Sequence, residues 1–244
     1  MLYYDYKGGN YEKTNKDYFW GIGGALLLLT AVFFLYVSNY YHADQVAINA
    51  FQYNSGITEN DGNLTLVPSS STDTGIIFYP GGKVEYTAYL PLLTKLQQQG
   101  YTCILINMPF NLAVFDKNAA DDIFDEYPEI TNWYIAGHSL GGAMASSYMA
   151  DHPDKLNGLI LLGSYMYGSV PSDKALVIYG SKDQVLDRSK INSEDQVVLI
   201  EGGNHAQFGD YGSQSGDGIA TISSEEQQTI TVNAIADFVQ KTSN

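Results

Sequence analysis

The chain of 244 residues is long enough for one domain with a full core plus an appendage. Its formal net charge is −15 at pH 7, and a surface of that sign repels nucleic acid and anionic lipid while favouring solubility. One cysteine, Cys103, excludes both a disulfide framework and a cysteine-based metal site.

The first element in chain order is apolar. Tyr18 to Tyr41 runs for 24 residues without a charge, and a helix needs about 20 apolar residues to cross a bilayer. A secretory signal peptide is the competing reading, but the run exceeds the ~7–15 residues of a signal core, and Tyr41-His42-Ala43 is a poor cleavage site. The expectation is therefore a signal-anchor over 18–41, between a cytoplasmic segment 1–17 and an extracytoplasmic domain 42–244 that is secreted if the segment is cleaved. Lys7, Lys13 and Lys16 precede the span and no Lys or Arg follows it until Lys83, which by the positive-inside bias keeps the N-terminus in the cytoplasm. Trp20, Tyr36, Tyr40 and Tyr41 suit interfacial positions. Residues 1–41 hold three basic and three acidic side chains, so the net charge belongs entirely to the remainder.

After a polar stretch, a strand is expected at 64–67. "GIIFYPGG" then reads as a buried strand ended by a sharp turn. A helix of about 86–99 closes on Gly100 as a C-terminal cap. A strand at 101–107 holds Cys103 as a core residue, and an acidic helical segment is expected at about 117–126. Next come a strand at 133–137, a helix at about 140–151, and strands at 156–163, 175–180 and 196–203. A final helix at about 224–240 starts with a capping-box signature, Ser223-x-x-Glu226 or Ser224-x-x-Gln227, and places Ile230, Ala234 and Phe238 on one face. Short continuous apolar strands between helices predict a mostly parallel sheet covered on both faces.

Within this pattern "IAGHSLGGAM" puts Ser139 at a strand-to-helix turn, at the edge of an α/β sheet where ligands bind. Gly137 and Gly141 leave room for a tight turn, and the helix from Leu140 aims its free N–H groups at the space above the hydroxyl. A serine hydroxyl needs a base. His138 adjoins it, but neighbours at such a turn point in different directions; His42 lies near the membrane and His152 reads as an exposed helix end. His205, in the loop directly after the last strand, returns to the same edge and is the best base. Asp183, three residues past its strand, is the candidate acid, and the order Ser139, Asp183, His205 suits this architecture. An oxyanion hole needs two backbone donors. Leu140 N–H is one, and the turn "YPGGKVE" supplies the other, with Gly82 preferred and Lys83 as alternative.

The segments "IIFYPGGKVEYTAYLPLL", "NMPFNLAVF", "IAGHSLGGAM", "VIYGSKD" and "EGGNHAQFGDYG" resemble the α/β-hydrolase superfamily, in particular its small esterase-like branch related to dienelactone hydrolases. The resemblance covers about 75–240. It implies an α/β-hydrolase fold, Ser139 as nucleophile, Asp183 as orienting acid, His205 as general base, and oxyanion donors at Leu140 and Gly82. Pro80-Gly81 departs from the usual His-Gly pair, and the link from Gly163 to Ala175 is too short for a lid of useful size.

The expected activity is cleavage of a small ester or thioester through an acyl-enzyme, with no cofactor. Amide or peptide cleavage, acyl transfer on the same triad, and a surface binding module without turnover are the alternatives. Glu85 and Asn111 lie on loops that should face the site, as candidate substrate contacts or as ordinary turn and capping residues. Asp210 and Asp217 lack the ligand spacing of a cation site, so no metal is expected.

Overall fold

The computed structural model describes residues 11–70 and 72–243, with side chains from Trp20 onward. Lys7 and the rest of 1–10 lie outside the described residues, as do the side chains of Lys13 and Lys16. The chain divides into two compact units, Met1–Asn39 and Tyr40–Asn244.

The described residues of the first unit form one helix, α1 (Tyr11–Ser38). Its Trp20–Ser38 portion has a mean hydropathy of 2.1 and is long and apolar enough to cross a membrane. Leu26, Leu27, Leu28 and Leu29 are successive and all exposed, so the apolar surface runs around the helix instead of forming one stripe. The helix ends before the uncharged run does. Tyr41 belongs to the second unit, where its N–H donates to the Lys83 carbonyl (2.8 Å), and its own carbonyl accepts from Glu85 N–H (2.8 Å).

The second unit opens with α2 (Gln45–Tyr53), in the stretch whose composition predicts only polar chain. Asp44 caps it by accepting from the N–H groups of Val46 and Ala47 at 2.8 and 3.3 Å. An eight-stranded sheet follows, built from β1 (Ile57–Asn60), β2 (Asn63–Leu66), β3 (Thr74–Tyr79), β4 (Thr102–Leu105), β5 (Asn132–His138), β6 (Gly158–Leu162), β7 (Ala175–Gly180) and β8 (Gln196–Ile200), in the order β1-β2-β4-β3-β5-β6-β7-β8. The β1–β2 and β2–β4 pairs are antiparallel, and all the others are parallel. Alternate residues feed two cores: Ile76, Phe78, Tyr134 and Ala136 on one face, Ile77, Tyr79, Trp133 and Ile135 on the other. The first face is covered by α3 (Leu90–Gln98) and α5 (Ser224–Thr242), the second by α4 (Leu140–Asp151).

Three elements differ from their sequence signals for local reasons. A helix over 86–99 would carry Pro91 in its interior. Instead a 3₁₀ turn, Tyr86–Tyr89, precedes α3, so that Pro91 falls in the first turn, where its missing N–H costs no bond. The C-terminus of α3 is a Schellman cap on Gly100 (φ +96°), with Gly100 N–H on Gln97 and Tyr101 N–H on Leu96. The acidic segment 117–126 is two 3₁₀ turns, Ala119–Asp122 and Phe124–Glu126, and no α-helix. Acids crowd what would be the C-terminal end of a helix, where the dipole disfavours them, and Pro128 keeps Tyr127 out of helical conformation. Finally, α5 buries Gln227, Gln228, Thr231, Val232, Ile235, Phe238 and Val239, while Ile230 is exposed. Of the expected Ile230–Ala234–Phe238 stripe, Phe238 is buried and Ala234 packs against the core, while Ile230 falls outside the observed face.

The parallel registers pair Tyr79 with Gly137, His138 with Leu162, and Gly180 with Ile200. The carboxyl ends of β3, β5, β6, β7 and β8 therefore finish level, and the loops leaving them share one edge.

Candidate active site

Ser139 alone separates β5 from α4, at φ +51° and ψ −120°. A side chain rarely adopts that conformation, and the surroundings must hold it. Ser139 N–H donates to the Leu162 carbonyl (3.0 Å), while its own carbonyl accepts from Ala143 N–H (3.1 Å) and the Ser164 hydroxyl (2.9 Å). A Cβ on Gly137 would lie 2.6 Å from the Gly142 nitrogen, and one on Gly141 would strike the Tyr79 and Pro80 carbonyls. The backbone is pinned from both strands, and the serine side chain is half-buried.

Asp183 and His205 leave β7 and β8 and meet there. Asp183 Oδ2 lies 2.9 Å from His205 Nδ1, and both side chains are almost wholly buried. The other carboxylate oxygen, Oδ1, accepts from the N–H groups of Val185 and Leu186, each at 2.9 Å. With Nδ1 carrying the proton given to the acid, Nε2 presents a lone pair, and among the described residues it has no hydrogen-bond partner.

A set of polar residues braces this pair. Arg188 Nη2 donates to the carbonyls of Gly180 (3.3 Å), Ser181 (2.9 Å) and Asp183 (2.8 Å). The Asp217 carboxylate accepts from the N–H groups of Gly218 (2.7 Å) and Ala206 (2.9 Å), and more weakly from Gln184 (3.4 Å), so one side chain ties the acid loop to the base loop. Asp210 accepts from Gln228 Nε2 at 2.6 Å. These carboxylates are engaged by the chain's own donors. The sequence offered no signal for the brace beyond the richness of 201–218 in glycine, since most of these contacts run to backbone groups or to a side chain of another element.

On the opposite side, the turn after β3 has three successive N–H groups. Gly81 donates to Tyr89 Oη at 3.0 Å and Lys83 to the Asn111 carbonyl at 2.8 Å. Lys83 N–H is thus already engaged, which removes it as an oxyanion donor. Among the described residues the N–H groups of Gly82 and Leu140 make no hydrogen bond. They are neighbours, because a Cβ on Gly82 would lie 3.2 Å from Leu140 Cβ. Asn111 acts on this turn through its backbone, at φ +55°. Glu85 is a fastener: its carboxylate accepts from Thr87 Oγ1 (2.9 Å) and Ala43 N–H (3.1 Å) and faces His42 Nδ1 (3.3 Å). His138, set aside as a base, is buried with its ring centroid 4.5 Å from that of His205.

A cavity of about 1070 Å³ is lined by Tyr53, Asn54, Thr72, Gln97 and Gly100 among others. It opens near the starts of β3 and β4, the end of the sheet opposite Ser139. Its lining is polar but holds no histidine, carboxylate or cysteine, whereas the Ser139 edge holds a buried carboxylate–imidazole pair, so the chemistry is assigned to the edge.

Residues 75–229 match the family described as "Alpha/beta hydrolase family". No curated protein matches the chain. Among solved structures, dienelactone hydrolase from Anabaena variabilis is similar with a TM-score of 0.52 at 16% identity, over 74% of this chain and 91% of that one. Est1E from Butyrivibrio proteoclasticus gives 0.52 at 15%, over 76% and 100%. A membrane phospholipase A described as a bacterial virulence factor gives 0.52 at 13%, over 94% and 99%. At these identities the likeness is one of fold.

Proposed function

Because the chain belongs to the alpha/beta hydrolase family and is a hydrolase, we propose that it is a membrane-held serine hydrolase that cleaves carboxylic esters or thioesters. Ser139 is the nucleophile, His205 the base, and Asp183 the group that holds the imidazole in its Nδ1–H tautomer. The observation that carries the reading is the buried 2.9 Å Asp183–His205 contact, with Nε2 left unpaired on the edge where Ser139 sits in its strained turn.

In the first step the Ser139 hydroxyl proton passes to His205 Nε2 as Oγ bonds to the carbonyl carbon. The carbonyl oxygen becomes an oxyanion between the N–H groups of Gly82 and Leu140, with the N-terminus of α4 behind them. Collapse expels the alcohol or thiol, which takes the proton from His205. Water then repeats the sequence on the acyl-serine, with His205 again as base and the acid and free serine as products. The base works only when neutral, so a protonated His205 cannot take the serine proton.

Between β6 and β7 the chain forms only the 3₁₀ turn Ser172–Lys174, which supports an open site for a small acyl group. The test uses the full chain in detergent: intact mass after a fluorophosphonate probe, beside turnover of p-nitrophenyl acetate, an anilide and a phospholipid. One phosphonyl adduct is expected, lost in Ser139→Ala together with about 10³-fold or more of ester turnover. A folded wild type that neither labels nor turns over would overturn the reading in favour of a binding module, and preference for the anilide would move it to amide cleavage.

A further inference from the structure

The residues of the proposed mechanism leave one buried pair without a role. Tyr89 is fully buried, and its Oη accepts the Gly81 N–H at 3.0 Å. The same Oη lies 2.8 Å from His138 Nδ1. Since Oη already accepts from Gly81, its own proton goes to Nδ1, which fixes His138 as the Nε2–H tautomer. Burial raises the Tyr89 phenol, keeping that proton in place. The oxyanion turn rests directly on the pair: a Cβ on Gly81 would lie 2.6 Å from Tyr89 Oη and 2.7 Å from His138 Nδ1.

The other face of the ring meets His205, with 4.5 Å between centroids and 48° between planes, and Phe208 closes the pocket at 5.7 Å. The titratable groups bearing on His138 are Tyr89, from the 86–89 turn, and His205, with Asp183 behind it. Burial first, and the His205 imidazole second, hold His138 well below the usual histidine range; the His205 backbone works weakly against them, without forming a hydrogen bond to Nε2. A protonated His138 would need to donate from Nδ1, and Tyr89 Oη could then donate to neither neighbour. It would also set a cation against the ring that must itself become an imidazolium during acyl transfer.

We propose that Tyr89 and His138 are positioning residues of the hydrolytic site, which hold the Gly81–Gly82 turn so that Gly82 N–H is free for the oxyanion, and keep a neutral imidazole against the base. The inference rests on the reading of Ser139 and His205 as nucleophile and base. It differs from a packing role because the hydrogen-bond chain, and not the volume of the rings, does the work.

The test measures kcat and KM for p-nitrophenyl acetate, with the full chain in detergent, for Tyr89→Phe, His138→Leu, the double variant, His138→Asn and Ser139→Ala. Tyr89→Phe and His138→Leu should each lower kcat by about 10–100-fold with KM little changed, as expected for loss of part of one oxyanion donor. The double variant should be no worse than the poorer single one, because both break the same chain. Asn carries an oxygen where His138 carries Nδ1, so His138→Asn should recover most of the loss. By ¹⁵N NMR, His138 should remain the neutral Nε2–H tautomer from pH 5 to 8 in the wild type and, still neutral because it stays buried, lose that single tautomer in Tyr89→Phe. Wild-type kcat in Tyr89→Phe, losses that multiply in the double variant, or a titrating His138 in the wild type would each overturn the proposal. Should His138→Leu not fold, Tyr89→Phe and the wild-type spectrum still decide. Full turnover in Ser139→Ala would instead sink the underlying reading of the site, whereas a dead Ser139→Ala beside an unaffected Tyr89→Phe would sink this inference alone.

Discussion

At Gly163 the chain leaves β6 with φ +52°, and a Cβ there would lie 2.8 Å from His205 Nδ1 and 3.2 Å from Asp183 Oδ2. The glycine serves two ends: it takes a backbone conformation that side chains resist, and it leaves the acid–base contact its space. Gly163→Ala should therefore strain the turn by about 1 kcal/mol or more and push the imidazole away from the carboxylate. Loss of the Nδ1 partner disturbs the tautomer, so kcat should fall by about 10²-fold or more, while thermal stability falls only modestly. Stopped-flow acylation with p-nitrophenyl acetate beside a melting curve checks this. Near-normal acylation would mean that the loop yields and that the Asp183–His205 contact is less constrained than its burial implies.

At the level of the element, α5 shows why sequence signals stop where they do. Gln227 is fully buried; its Oε1 accepts the Asn204 N–H (3.0 Å) and its Nε2 donates to the Asn204 carbonyl (2.8 Å), so the side chain pairs with both backbone groups of the residue before His205 as a neighbouring strand would. Gln227→Leu would leave two buried backbone groups unpaired, at about 1–3 kcal/mol each. Urea unfolding should show a loss of about 2–6 kcal/mol at unchanged m-value, and an unchanged midpoint would show that water or a shifted loop replaces the amide. Hydropathy ranks Gln227, Gln228 and Thr231 as solvent-facing, which is why Ile230 was expected on the buried face. By contrast, the placement of Ser139, Asp183 and His205 at one sheet edge was legible, since each lies in the segment leaving an apolar strand whose carboxyl end topology fixes. Tyr89 and His138 were not, because what they do depends on which turn the Gly81 N–H reaches, and no spacing in the chain encodes that contact. The acidic 3₁₀ turns and α2 were missed for a related reason: Ile123 sits among acids, and α2 buries Ala47 while its apolar neighbours Val46 and Ile48 stay exposed, so neither leaves a periodic buried pattern.

For the whole molecule the question is whether Trp20–Ser38 can hold an acidic hydrolase at a membrane. The net charge of −15 falls entirely beyond residue 41, so the second unit is repelled by anionic lipid and gains nothing from surface electrostatics. Trp20–Ser38 is uncharged and about 28 Å long as a helix, close to the ~30 Å hydrocarbon thickness. If that helix is the tether, the full chain should float with anionic vesicles on a density gradient at both low and high salt and resist extraction by alkaline carbonate, because burial in hydrocarbon does not depend on counterions. Orientation follows from the lysines that precede the span: in spheroplasts of a bacterial expression host, added protease should degrade the second unit without lysis. A chain released by high salt would point to peripheral attachment. A soluble product lacking the first residues, found by intact mass in the medium, would convert the anchor into a cleaved signal segment, and digestion only after lysis would reverse the topology while leaving the tether in place.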